Sequence, residues 1–443
     1  MFRPFRGERQ WRLPSVLALA ALVGLAGCSS AGGPGVKTGP GPKTTYLGSI
    51  AADDPQAVDI ARQILMQGGS AADAMVAAGL TLGVTSPARA GLGGGGICLI
   101  HRPDQSVAEL DFLPQTVPGS AYPVPGMVRG LSVLRATFGR MRWQQDAVPA
   151  ERLALDGVPA STNLTDDLAT AGRVQNAADG TPLRPGSVVQ SRDLASFYSA
   201  LRLRGDLDFY QGVIANRLAA AGIPAAALAA YKPVLTDNLV PLRAGDDKIV
   251  FTHNAGGAMA ARAWNALAAQ DSGNAAARMA LAVKSVGGAD QPTGGTAVVI
   301  SDATGLGIGC AFTMGRLWGS GQTIGDTGVL GAAPVDAHED AGLVAAVEFN
   351  GYTKALRGVV AGAGGTLAPA AVAATTYAAI LKAMPLDQAL AAPRVPTEAH
   401  GQRTPSRVEA AICPGGLPNK PDTCAAAFDP RGSGFATIVV GGL

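Results

Sequence analysis

Few side chains in this sequence could do chemistry, and they are widely spaced. The four histidines, His101, His253, His338 and His400, lie far apart. No cysteine–histidine cluster has metal-ligand spacing, so neither a metal nor another cofactor is expected. Cys28 is a different case. Arg3, Arg6, Arg9 and Arg12 form a basic stretch, residues 16–25 an apolar one, and Leu25-Ala26-Gly27-Cys28-Ser29 follows. The apolar run is shorter than the ~20 residues of a spanning helix, and the whole segment reads as a bacterial lipobox signal. Cleavage before Cys28 would leave a thiol for acylation, each buried CH₂ adding about 0.8 kcal/mol of membrane affinity. Residues 1–27 are thus expected to be removed. Lipid on Cys28 would hold the chain in the bacterial envelope facing the periplasm, and Ser29 points to the outer membrane. An oxidising compartment suits a disulfide between Cys413 and Cys424 across a Pro/Gly-rich loop. Cys98 and Cys310 lie in apolar stretches and read as buried thiols.

The glycine run Gly91-Leu92-Gly93-Gly94-Gly95-Gly96 resembles a phosphate loop only superficially. No Lys-Ser/Thr follows it, and a strand comes next, so it reads as backbone packed too closely for a Cβ. The net charge is +2, with no basic stripe interleaved with aromatics, which argues against a nucleic-acid partner. Hydrophobic residues make up 47% and charged residues 15%, below the usual ~25%, which suits a large core.

The elements that must position any site come next. Residues 28–46 are Gly/Pro-rich and read as a flexible tether. Asp54-Pro55 opens a helix that Gly68-Gly69 stops, and Ser70 with Asp73 forms a capping-box start to an Ala-rich buried helix ended by Pro87. A strand is predicted over residues 97–101, and a mainly helical stretch over 131–281. Strands follow over 296–302, 306–313, 343–349 and 358–361, then a helix over 368–384 and a last strand over 436–440. Helices outside antiparallel strands argue for an α+β layered domain.

Several segments resemble the γ-glutamyltransferase family. They are Gln67-Gly68-Gly69-Ser70-Ala71-Ala72-Asp73-Ala74 with the glycine run, Val124-Pro125-Gly126-Met127-Val128-Arg129-Gly130-Leu131, Phe209-Tyr210-Gln211-Gly212, Asn254-Ala255-Gly256-Gly257, Trp318-Gly319-Ser320-Gly321 and Gly328-Val329-Leu330. The resemblance spans residues 47–443 and implies an Ntn-hydrolase-like αββα four-layer sandwich. Residues 47–295 correspond to the large subunit and 296–443 to the small one. It also implies self-cleavage before a threonine, whose freed α-amine (pKa about 7.7–8.0) acts as base for its own hydroxyl in γ-glutamyl transfer or glutathione hydrolysis. The two fragments then stay paired, and the ligand is a small γ-glutamyl compound or related amide.

Much of that equipment is missing. Anchoring on Asp302, Gly305 and Trp318-Gly319-Ser320-Gly321 without gaps places Gly295 at the nucleophile and Thr296 one residue late. Thr296 is the candidate nucleophile if a bulge shifts the strand, and Thr293 is a weaker one. The carboxylate-binding Arg expected after Asp111-Phe112 is replaced by Leu113-Pro114; Arg102 or Arg129 could substitute only if the fold brings it near. Gly315 stands for an expected Asn, and the paired serines before residue 343 are absent. Asp336 is the remaining candidate substrate ligand, and Gly364-Gly365 resembles the oxyanion hole. Two readings follow: an envelope protein that keeps the fold without the chemistry, or an active transferase or amidase working through Thr296.

Overall fold

The computed structural model describes residues 44–237, 239–270, 273–394 and 404–442. The signal segment, Cys28, most of the tether and His400 lie outside the described residues. The first strand, β1 (Thr44–Ala52), begins inside the stretch read as tether. Next come α1 (Pro55–Met66), α2 (Ala71–Thr85), β2 (Gly95–His101), β3 (Val107–Asp111) and α3 (Met127–Phe138). A helical section follows: α4 (Trp143–Asp156), β4 (Val158–Pro159), α5 (Thr162–Thr170), β5 (Val188–Val189), α6 (Arg192–Arg204), α7 (Asp206–Gln211), α8 (Val213–Ala220) and α9 (Ala225–Ala230). Then come β6 (Val234–Thr236), β7 (Leu242–Ala244), β8 (Asp247–Phe251), α10 (Ala255–Gln270) and α11 (Ala275–Val286). The last part holds β9 (Gly295–Asp302), β10 (Gly307–Thr313), α12 (Ala337–Ala341), β11 (Val344–Asn350), β12 (Leu356–Ala363), α13 (Ala368–Thr376), α14 (Leu386–Leu390), β13 (Arg407–Leu417), β14 (Ala425–Ala427) and β15 (Phe435–Gly442).

Two antiparallel sheets dominate. One has the order β15-β1-β9-β10-β2-β3-β6, the other β14-β13-β12-β11-β8-β7. Period-2 alternation sorts their side chains. Ala297, Val299 and Leu99 of the first sheet meet Ala345, Val347 and Val359 of the second, forming a layer of mostly small apolar residues between the sheets. Val298, Ile300 and Phe312 turn the other way, onto α1, α2 and α3. Val344, Ala346 and Val408 pack under α10 and α13 on the far side. The result is helix, sheet, sheet, helix.

Local chemistry explains why the helices start where they do. Asp54 accepts the Ala57 N–H at 2.8 Å ahead of Pro55. Ser70 and Asp73 make the expected capping box, and every residue of α2 is buried. The Ala71 N–H also donates to Asp302 Oδ2 at 2.9 Å, tying the start of α2 to the β9–β10 turn. The stretch 131–281, read as mainly helical, also carries strands; β8 is the important one, completing the second sheet beside β11.

Cys98 and Cys310 are not free thiols. They sit opposite each other on β2 and β10 and are joined as a disulfide. The two lie 212 residues apart in sequence, so nothing local signals the pairing. Cys413 and Cys424 form the second disulfide. No described helix is long and apolar enough to cross a membrane.

Candidate active site at the start of β9

The decisive geometry is strand register. Gly295 pairs with Thr313 and Thr296 with Phe312, without a bulge. Cross-strand partners share a face. Thr296 therefore lies with Phe312, Val298 and Ile300 on the face covered by helices, and it is buried there (4% exposed). Gly295 lies with Ala297 and Val299 on the face between the sheets. A Cβ added to Gly295 would come within 3.0 Å of Leu343 Cδ2 and of the Phe312 carbonyl oxygen, and 3.1 Å of Ala363 Cβ. A hydroxyl-bearing side chain would have to displace these neighbours.

The glycine pair that resembles an oxyanion hole is beside Gly295, not Thr296. Gly364 has φ +88°, a left-handed conformation suited to glycine, and a Cβ there would sit 3.5 Å from the Gly295 carbonyl oxygen. The Thr293 N–H donates to the Gly364 carbonyl at 2.9 Å, and Pro292 bridges to Gly365. The fold thus brings Thr293, Gly295, Gly364 and Gly365 together.

The ground in front of them is occupied by the chain itself. Glu339, 2% exposed, reaches in from α12. One carboxylate oxygen accepts the Thr313 hydroxyl proton and the other accepts the Gly294 N–H at 2.8 Å. Burial raises its pKa, and these two hydrogen bonds oppose the rise. The Thr293 hydroxyl is buried without a hydrogen-bond partner among the described residues, packed against Gly342. Asp336, the candidate substrate ligand, is exposed and caps α12 by accepting the Glu339 N–H at 2.9 Å.

One participant was missed in the sequence. Arg89 forks onto Asp167, with two N–H···O contacts of 2.7 Å, and donates from Nη1 to the Gly295 carbonyl at 3.0 Å. Burial disfavours the cation, but Asp167 overcomes that and raises the Arg89 pKa. The available signal was a lone arginine in the run Ser86-Pro87-Ala88-Arg89-Ala90-Gly91, since a cation amid apolar residues needs a buried partner. Arg102 and Arg129, the candidate substitutes for the missing clamp, are engaged with Asp237 and Asp206 respectively. Arg129 also lies over the Tyr210 ring at 4.4 Å.

Further along the inter-sheet face the lining is acidic. Glu109 accepts the His253 N–H at 2.7 Å, and its pKa is raised by burial, with smaller contributions from Asp111 and Asp340. Asp111 is raised by burial and by Asp340. Such a surface disfavours a carboxylate ligand. His101 is structural: its ring nitrogens meet the Gly305 and Lys354 carbonyls, and burial lowers its pKa. Among the described residues no group of His, Cys, Asp or Glu could hold a metal.

Residues 57–240 match the family model described as gamma-glutamyltranspeptidase. Over that stretch the chain is similar to the γ-glutamyltransferase family. The match with curated members is partial. Glutathione hydrolase 7 of Bos taurus is 34% identical over 199 residues, covering 39% of this chain and 30% of that protein. The glutathione hydrolase proenzyme of Escherichia coli K12 is 30% identical over 248 residues, covering 46% and 42%. These relatives are matched over less than half of their length. The fold likeness reaches further. Cephalosporin acylase of Bacillus halodurans superposes with a TM-score of 0.71 at 16% identity, covering 91% of this chain and 98% of that one. The chain therefore has the αββα Ntn-hydrolase-like architecture over most of its length.

Proposed function

We propose that this chain is a lipid-anchored envelope protein that keeps the fold as a binding or structural module, without the acyl-transfer chemistry. The reading rests on Gly295. The family reaction requires a hydroxyl between the sheets at the start of this strand, and the residue there has no side chain; a Cβ would press on Leu343, Ala363 and the Phe312 carbonyl. Glu339 across that space, and Leu113 where a carboxylate-binding Arg is expected, support it. The envelope location rests on the Leu25-Ala26-Gly27-Cys28 signal.

Mature protein on a denaturing gel tests the chemistry. One intact band is expected, with background turnover of γ-glutamyl-p-nitroanilide. Two fragments with a new N-terminus at Thr296 would instead restore the reading of an active γ-glutamyl transferase or hydrolase. The anchor is tested separately, by labelling cells with an alkynyl palmitate analogue. Label is expected on the wild type and lost in Cys28→Ala; label retained in the variant would remove the lipoprotein assignment.

A further inference from the structure

A second cavity lies away from Gly295. It has a volume of about 300 Å³ and opens between the end of α2, the start of α6 and the loop over residues 318–330. That is the small end of the roughly 300–1,000 Å³ range of ligand pockets. Leu92, Leu194 and Leu330 give it apolar walls. Its single charged lining residue is Arg173. The guanidinium lies over the Trp318 ring, 5.2 Å from its centroid, and spends one N–H on the Gly321 carbonyl at 2.9 Å. Among the described residues no carboxylate pairs with it. Gln175, half-buried, adds an amide at the same wall.

Trp318 is itself held in an unusual way. Its φ of +66° is a left-handed conformation that a bulky residue rarely adopts. Two hydrogen bonds impose it: the indole N–H donates to the Asp167 carbonyl at 3.1 Å, and the backbone N–H donates to Ala88 at 2.8 Å. The surroundings thus fix an aromatic wall with a cation stacked on it. A planar guanidinium with free donors matches a carboxylate in geometry as well as charge, and the apolar walls match a hydrocarbon or aromatic body.

We propose that this cavity binds a small carboxylate with an apolar body, the carboxylate on Arg173 and the body against Trp318. The site is independent of whether Gly295 or Thr296 does any chemistry.

The test is calorimetric titration of the mature protein with 4-phenylbutyrate, 4-phenylbutyramide and 4-phenylbutylamine, with tryptophan fluorescence as a second readout. Saturable binding of the carboxylate is expected, with the amide roughly 10-fold weaker and the amine weaker still, since one charge-assisted contact separates them. In Arg173→Gln the carboxylate should fall to the level of the amide. Arg173 is exposed, so the melting temperature of the free variant should not change. Leu330→Trp, which fills the cavity from its rim, should abolish binding of all three. No saturable binding of 4-phenylbutyrate by the wild type, equal affinity for acid and amide, or full affinity in either variant would overturn the proposal.

Discussion

The helical layer over α1 and α2 and the edge of the sheets at Gly295 have fared differently. In the first, a residue's job is to pack or cap. Ser70, Asp73 and Asp302 close a hydrogen-bonded corner, α2 is buried along its whole length, and α2 falls within the matched stretch. At the second, a glycine stands at the start of β9, its carbonyl held by Arg89 and the preceding Gly294 N–H held by the buried Glu339. On the proposed reading, packing alone retains the scaffold, because packing is tested at every folding event whether or not a ligand is turned over.

The sharpest way to break this comparison is through the scaffold. Cys98→Ala/Cys310→Ala opens a loop of 212 residues. Loop entropy predicts a loss of about 5 kcal/mol, read by denaturant unfolding, against about 3 kcal/mol for Cys413→Ala/Cys424→Ala, whose loop spans 11. Equal losses would mean that strand pairing, rather than the cross-link, constrains the sheet.

Arg89→Met should come next, at about 3–5 kcal/mol, because it leaves Asp167 buried and uncompensated. The double variant Arg89→Met/Asp167→Leu should recover most of that. A single variant as stable as wild type would show that the clamp on Gly295 is incidental.

Gly295→Thr should cost about 1–3 kcal/mol through overpacking against Leu343 and Ala363 and should yield neither cleavage nor turnover. Thr296→Val, on the covered face, should leave the gel pattern and turnover as they are. If Gly295→Thr self-cleaves, the edge is closer to an active one than its packing indicates.

The smallest effect concerns the helical layer itself. Asp146 on α4 is fully buried with both carboxylate oxygens unpartnered; burial first, then Asp73, push its pKa up to about 8. The folded state therefore holds a proton that the unfolded chain releases near pH 4. Stability from this group is full below pH 4 and declines as pH rises toward 8. Asp146→Asn should flatten that decline, with a gain at pH 8 and little change at pH 4, in melting curves across the range. Parallel curves for the two proteins would refute the assignment.

Elements with local punctuation were legible in the sequence. Asp54-Pro55 and Ser70/Asp73 announce α1 and α2, and Asp302 through Gly305 announces the β9–β10 turn. What was not legible depends on distant partners. β1 follows a Gly/Pro-rich stretch and looks like its continuation until β9 and β15 flank it. β13 follows residues rich in Pro and polar groups and becomes a strand only against β12. The face that Thr296 presents was posed correctly as a question of register, but only the pairing with Phe312 answers it. Arg89, in the turn after α2, escaped notice because its meaning lies in Asp167 of α5, 78 residues further on.

The place of β1 also sets a timetable for folding. It lies between β9 and β15, and its Tyr46 hydroxyl meets Ser301, 255 residues further on. As the chain emerges N-terminus first, this early strand has nothing to pair with until late segments arrive. During that wait its backbone amides stay unpaired, open to any passing strand.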